Sequence, residues 1–209
     1  YILIILLLLA FVGLPVYSGV YIVDFREIAI VKTFGRAAEP IYGDREQAGL
    51  RFKWPWPVQQ LVKYDARTQL LEDTHENVQT KDKQSVIVTV YCGWRIADGK
   101  ADVFHRKVET MEKAEDLLRT LVRTSKSEVL GQHPMADLVN TDPKEMQIRD
   151  IEEEILKRVR KVSEAQYGVD VVTIGIKSLQ LPEKVTAAVI KNMVAERERI
   201  AAKERQRGE

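Results

Sequence analysis

The 209-residue chain carries 32 Lys and Arg against 31 Asp and Glu, a formal net charge of +1, with 45% hydrophobic and 30% charged positions. Such a balance lacks the basic excess on which nucleic-acid binding depends, and it is too charged for a wholly embedded chain and too apolar for a disordered one. A single cysteine, Cys92, excludes an internal disulfide framework or a cysteine-only metal cluster, and only three histidines are present, far apart in sequence.

Residues 1–23 contain no charge, whereas charges are frequent from Asp24 onward. A helix of that length would be roughly 34 Å long, enough to cross a hydrocarbon core of about 30 Å. The run Ile2, Leu3, Ile4, Ile5, Leu6, Leu7, Leu8 and Leu9, followed by Phe11 and Val12, supplies the span. Each Leu or Ile favours insertion by about 0.3 to 0.6 kcal/mol near the bilayer centre. A single transmembrane anchor is the favoured reading. A cleavable signal peptide, with Val16-Tyr17-Ser18 near a cleavage site, and a buried core helix are the alternatives.

The next part reads as β-rich. Glu27 to Phe34 alternates loosely and ends at the turn residue Gly35; residues 40–49 read as a loop. Leu50 to Lys53, Val58 to Tyr64 and Thr68 to Asp73 are short strand candidates. Trp54-Pro55-Trp56-Pro57 is excluded from a regular inner strand by its two prolines. Trp54 and Trp56 are therefore membrane-interface candidates in a rigid loop, the alternative being that they pack into the β core. Ser85 to Ile96 is the clearest strand: Val86, Val88, Val90, Cys92, Trp94 and Ile96 make one apolar face at period two. That face also makes Cys92 a core thiol rather than a nucleophile.

After Asp98 the period becomes helical. Met111 to Leu130 places Ala114, Leu117, Leu118, Leu121, Val122 and Val129 on one side. Asp142-Pro143 reads as a helix start, with Ile148, Ile151, Ile155, Val159 and Val162 as its apolar stripe, an i,i+4 pair Glu154–Arg158, and Gly168 just past its end. Val169 to Leu179 reads as a strand with Val172, Ile174 and Ile176 on one face. From Pro182 a helix is expected to run to the end of the chain. Val185, Val189 and Met193 continue an apolar stripe that gives way to Glu196-Arg197-Glu198-Arg199. So little apolar surface does not stabilise a lone helix, which favours lateral packing with similar helices; a solvated tail is the alternative.

No phosphate-binding G-x-x-x-x-G-K-[ST], G-x-G-x-x-G, G-x-S-x-G or H-E-x-x-H motif occurs. His75-Glu76 lacks a second histidine at ligand spacing, and Asp65 and Arg67 are expected to pair with neighbours. The sequence therefore points to a non-enzymatic protein with no catalytic, cofactor or metal residues.

Several stretches in order resemble the SPFH family of stomatins, prohibitins, flotillins and the HflK/HflC pair, nearest its HflC-type members. They are Phe34-Gly35-Arg36, Gly49-Leu50-Arg51-Phe52-Lys53-Trp54-Pro55, Asp65-Ala66-Arg67, Lys81-Asp82, Ser127-Glu128-Val129-Leu130-Gly131 and Leu179-Gln180-Leu181-Pro182-Glu183-Lys184-Val185. The last is followed by Asn192-Met193-Val194-Ala195-Glu196-Arg197-Glu198. Ala48 departs from the proline usual before Gly-Leu in that family. The resemblance implies an α+β fold: an anchor (1–23), a β-rich first SPFH subdomain (24–97), an α/β second subdomain (98–181) and the start of a long, coiled-coil-like helix (182–209). It further implies a scaffold embedded in lipid that assembles into a ring or cage with copies of itself or an HflK-like paralogue. Such a scaffold would regulate substrate access to an FtsH-like membrane protease, as a single-pass inner-membrane protein with its SPFH domain on the periplasmic side. On that basis Val185, Val189 and Met193 supply apolar contact between neighbours, and Glu196, Arg197, Glu198 and Arg199 set their pairing. An anchored or secreted monomeric binding domain is the competing reading.

Overall fold

The computed structural model describes residues 19–43, 48–140 and 146–181, together with Val194 and Glu198, and excludes the side chains of residues 75–77. The described residues form an α+β fold with nine strands. The strands are β1 (Val20–Val23), β2 (Glu27–Thr33), β3 (Arg36–Ala37), β4 (Ile41–Tyr42), β5 (Gly49–Phe52), β6 (Gln59–Asp65), β7 (Gln69–Gln79), β8 (Ser85–Ile96) and β9 (Val169–Gln180). The helices are α1 (Ala101–Lys107), α2 (Met111–Leu130), α3 (Met135–Leu138) and α4 (Ile148–Tyr167). They fall into two compact units interleaved along the chain, one of residues 1–69, 95–114 and 163–170, the other of residues 70–94, 115–162 and 171–209.

In the first unit, β2 is the central strand. It pairs antiparallel with β6 along its whole length, from Glu27 opposite Asp65 to Thr33 opposite Gln59. Its other edge is shared: β4 takes Ile28 and Ala29, and β3 takes Lys32 and Thr33. The run Ile28-Ala29-Ile30-Val31 is buried throughout, which explains why its alternation is loose: both faces of the strand are covered. Ala29 and Val31 pack with Tyr21, Val23, Ile41 and Leu61. On the other face Tyr64, opposite Ile28, meets Phe104 of α1 edge to face with ring centroids 5.2 Å apart. Gly168 closes α4 with φ +67°, as the sequence predicts for a residue just past a helix end. A Cβ there would also lie 2.8 Å from the carbonyl oxygen of Lys100, so only glycine fits.

The second unit holds most of the three-stranded sheet β7-β8-β9. The six even-numbered residues of β8 from Val86 to Ile96 are all at most 2% exposed, so the period-two face read from the sequence is a core face. Leu118, Val122 and Val129 of α2 and Ile151, Ile155 and Val159 of α4 are equally buried, matching the helical stripes. Two expectations are corrected. Met146 and Gln147 are not helical, and α4 begins at Ile148, whose turn is closed by the Ile151 amide donating to the Gln147 carbonyl at 3.0 Å. The Asp142-Pro143 start lies outside the described residues. In β9 the buried residues are Val169, Val171, Ile174 and Gly175, while Val172 and Thr173 are both exposed. Val172, at 43% exposed, is therefore left out of the buried set to which Ile174 belongs.

A buried charge cluster ties α2 to the sheet within this unit. Lys126, with no exposed surface, donates to Asp73 Oδ2 on β7 at 3.3 Å and to the Val88 carbonyl on β8 at 3.2 Å. Arg123 Nε lies 2.9 and 3.1 Å from the two Asp73 oxygens, and its Nη2 is 2.7 Å from Oδ1. Burial pushes the Asp73 carboxyl up, but the Arg123 hydrogen bonds and the Lys126 and Arg123 charges outweigh it and hold it below the ordinary value of 3.8. Burial lowers Lys126 from its ordinary value, which the Asp73 charge and hydrogen bond offset only in part, and the nearby Arg123 charge adds to the lowering. We expect Asp73→Asn to destabilise the fold by about 3 to 5 kcal/mol in chemical denaturation, since it strands a buried ammonium, and Lys126→Met in that background to recover part of the loss. An Asp73 carboxyl depressed in the folded state contributes stability above about pH 4 that is lost as pH falls through its folded value; in the Asp73→Asn variant that acid loss should shrink.

Candidate membrane-facing site

The charge-free leading segment does not end as a helix. Gly19 is helical, but Val20–Val23 form β1, paired antiparallel with β5 so that Val20 faces Phe52 and Ile22 faces Leu50. The reason is local: Val-Tyr-Ile-Val alternates and finds a partner strand, and Gly19 lets the chain approach it, since a Cβ there would lie 2.6 Å from the Phe52 ring. The expected membrane-span residues Ile2 to Leu9, Phe11 and Val12 lie outside the described residues. Among the described residues no helix is long and apolar enough to cross a membrane.

The two faces of the β1-β5 ribbon differ sharply. Tyr21 and Val23 point into the core, while Val20, Ile22, Leu50 and Phe52 are exposed, at 43, 59, 72 and 60%. Paired across the ribbon, these four side chains make one continuous apolar outer face. The tryptophan turn follows β5 directly. Trp54 and Trp56 are 62 and 74% exposed, so neither packs into the β core. The turn is held from below: the Trp54 amide donates to Gln59 Oε1 at 2.7 Å, Val58 N–H to the Pro55 carbonyl at 3.1 Å, and the Trp56–Pro57 peptide is cis. Gln59 Nε2 in turn donates to Thr33 Oγ1 at 3.0 Å, and the Phe34 amide to the Val58 carbonyl at 3.1 Å, fixing the turn against the end of β2. Phe34, at φ +48°, is itself 77% exposed. Sequence reasoning singled out the two tryptophans but missed Val20, Ile22, Leu50 and Phe52. Their signal is the apolar content at alternate positions of both short strands, which becomes a surface only once their register is known.

The other residues weighed for chemistry have structural roles. Cys92 is 1% exposed, and burial pushes its thiol up to about 12. Arg67 Nε pairs with Asp65 Oδ1 at 3.2 Å, and Arg158 with Glu154 at 3.0 Å. Tyr64 donates its hydroxyl proton to the Glu109 carbonyl at 2.7 Å and is also hydrogen-bonded to His105 Nδ1; burial pushes Tyr64 up to about 12. Among the described residues no group of three His, Cys, Asp or Glu side chains could hold a metal ion. Of the assembly candidates, Val185, Val189, Met193, Glu196, Arg197 and Arg199 lie outside the described residues, and Glu198 is helical and exposed.

Residues 21–209 match the SPFH domain / Band 7 family. The chain belongs to this family. It is 30% identical over 210 residues to the protein HflC of Buchnera aphidicola subsp. Acyrthosiphon pisum, covering 92% of this chain and 65% of that protein. It is 27% identical over 232 residues to the modulator of FtsH protease HflC of Escherichia coli K12, covering 92% and 68%. To the protein HflC of Vibrio cholerae it is 28% identical over 220 residues, covering 91% and 66%. The chain thus spans about two thirds of the length of these relatives. The resemblance drawn from the motifs holds, the HflC branch included, and the Escherichia coli relative is named as a modulator of a protease, in line with a non-enzymatic protein.

The buried thiol has a direct consequence. Cys92 should resist an aromatic disulfide reagent at pH 8 for as long as the fold persists and react fully in denaturant; rapid labelling of the folded protein would contradict its place in the β8 core.

Proposed function

We propose that this SPFH protein is a membrane-held scaffold subunit. It assembles laterally into a ring or cage, with copies of itself or an HflK-like paralogue, and governs substrate access to an FtsH-like membrane protease. The observation that carries the membrane part is the outer face of the β1-β5 ribbon with its tryptophan turn, an exposed apolar surface that begins within the charge-free leading segment. Isolated from water, each large side chain of this kind gains about 1.5 to 3 kcal/mol, so half a dozen together hold this edge in a bilayer surface. Trp54 and Trp56 suit the headgroup boundary.

The protease relationship is supported by the name of the Escherichia coli relative. Assembly is supported by the physics of the arrangement. Subunits held in one plane meet at high effective concentration, so weak lateral contacts suffice, and repeated head-to-tail contacts close into rings. In this reading the apolar run Ile2 to Leu9, with Phe11 and Val12, supplies the single-pass inner-membrane anchor and the SPFH domain stands on the periplasmic side. Val185, Val189 and Met193 supply the apolar part of a lateral helix contact, with Glu196 to Arg199 setting register.

Two measurements test the proposal. In vesicles of brominated lipid, fluorescence of Trp54 and Trp56 is expected to be quenched. A Trp54→Phe/Trp56→Phe variant, left with the fully buried Trp94 as its only indole, should lose that quenching; an unquenched parent chain removes the membrane-facing role. In mild detergent, Val189→Asp with Met193→Asp should convert a large assembly into small species by light scattering. An assembly of unchanged mass would reject the helix contact, and a parent chain that is monomeric would favour the solitary binding domain.

A further inference from the structure

The chain is nearly neutral overall, yet its cations are not evenly spread in the first unit. A cleft of about 640 Å³ opens where the turn after β2 meets the junction of α1 and α2. Lys32, Arg36, Arg106, Lys107 and Lys113 converge on it, against one carboxylate, Glu109. Two of the five are already neutralised: Arg106 by Asp102 at 2.8 Å and Lys113 by Glu109 at 3.0 Å. Lys32, Arg36 and Lys107 have no ion-pair partner among the described residues. The Lys32 charge reaches the cleft wall, where burial and that charge lower the buried His105 from its ordinary value.

The backbone is open to a ligand as well. Gly35 sits in the left-handed region at φ +82° with nothing within 4 Å of where a Cβ would be, so the turn presents bare main chain beside Arg36. Three unpaired cations around an open cavity next to a glycine turn suit a multiply charged oxyanion. A phosphate accepts from a guanidinium in a two-pronged geometry and from ammonium groups as point charges.

We propose that this cleft binds a phosphate group. Its setting favours one carried on a lipid. The same turn ends in the exposed Phe34, which is hydrogen-bonded through its amide to Val58, two residues beyond Trp56. Cationic cleft and aromatic turn are therefore held side by side by the pairing of Thr33 with Gln59, the arrangement of a headgroup boundary. The phosphate site stands without the membrane reading; only the choice of a lipid source rests on it.

The full chain in neutral detergent is titrated with inorganic pyrophosphate by calorimetry. Native mass spectrometry separately counts retained phosphatidylglycerol against phosphatidylcholine. Arg36→Gln and Lys107→Gln, both at exposed positions, should each weaken anion binding by about threefold to tenfold, and with Lys32→Gln the triple variant by at least about thirtyfold. Lys161→Gln, which removes the same charge from the exposed face of α4, should leave binding within about twofold. Selective retention of phosphatidylglycerol without pyrophosphate binding assigns the site to a lipid headgroup; binding of pyrophosphate with the same variant pattern assigns it to phosphate as such. Failure of both probes, or an equal loss in Lys161→Gln, overturns the proposal. Brominated-lipid quenching of Trp54 and Trp56 in the triple variant keeps the two readings apart: it should persist when the cleft is emptied, and its loss in the parent chain would reject the membrane reading alone.

Discussion

A twelve-residue strand with an unbroken apolar face has to hide that face, and the rest of the structure follows from how it does so. The even-numbered side chains of β8 bury completely, which requires amphipathic helices against the sheet and puts the α2 stripe inside. Burying α2 drags Lys126 along with its apolar neighbours. An ammonium with no exposed surface is tolerated only beside a counter-charge, and Asp73 on β7 provides it, with the Val88 carbonyl as a second acceptor. Hydrophobic burial chooses the layers; the ion cluster fixes how the helix is seated on them.

The first unit meets the same demand differently. Its β2 strand is covered on both faces, so the apolar residues left over cannot all be inside. Val20, Ile22, Leu50 and Phe52 are the surplus, and the ribbon turns them outward in one patch. A soluble monomer rarely keeps such a patch, and it lies beside the exposed tryptophan turn, which is why the proposed function sets this edge against a membrane. The chain belongs to the SPFH / Band 7 family and is similar to HflC proteins.

Much of this was legible from residue patterns. Ser85 to Ile96 as a strand and Met111 to Leu130 as a helix match the structure to the residue, because long elements with strong periodicity average over local exceptions. Gly168 was legible because only glycine relieves a left-handed helix end. The start of α4 and the face of β9 were not, for opposite reasons. Asp142-Pro143 is a local start signal that leaves the following residues free to be non-helical at Met146 and Gln147. Val172 is exposed although its hydropathy is that of a core residue, because what covers a strand position is set by the segments packed on it.

The amino-acid order by itself determined the α+β class, the segregated charge-free leader, the buried identity of Cys92 and the family, since each rests on chemistry contained within a short window or on motifs in sequence. Tertiary structure alone decided that residues 20–23 are a strand, that Trp54 and Trp56 stay outside the core, and that Lys32, Arg36 and Lys107 share one cleft. Those outcomes depend on pairing register and on which chain segments meet across tens of residues. Hydropathy along the chain carries no record of either, because the energy that selects them belongs to the contacts and not to the residues.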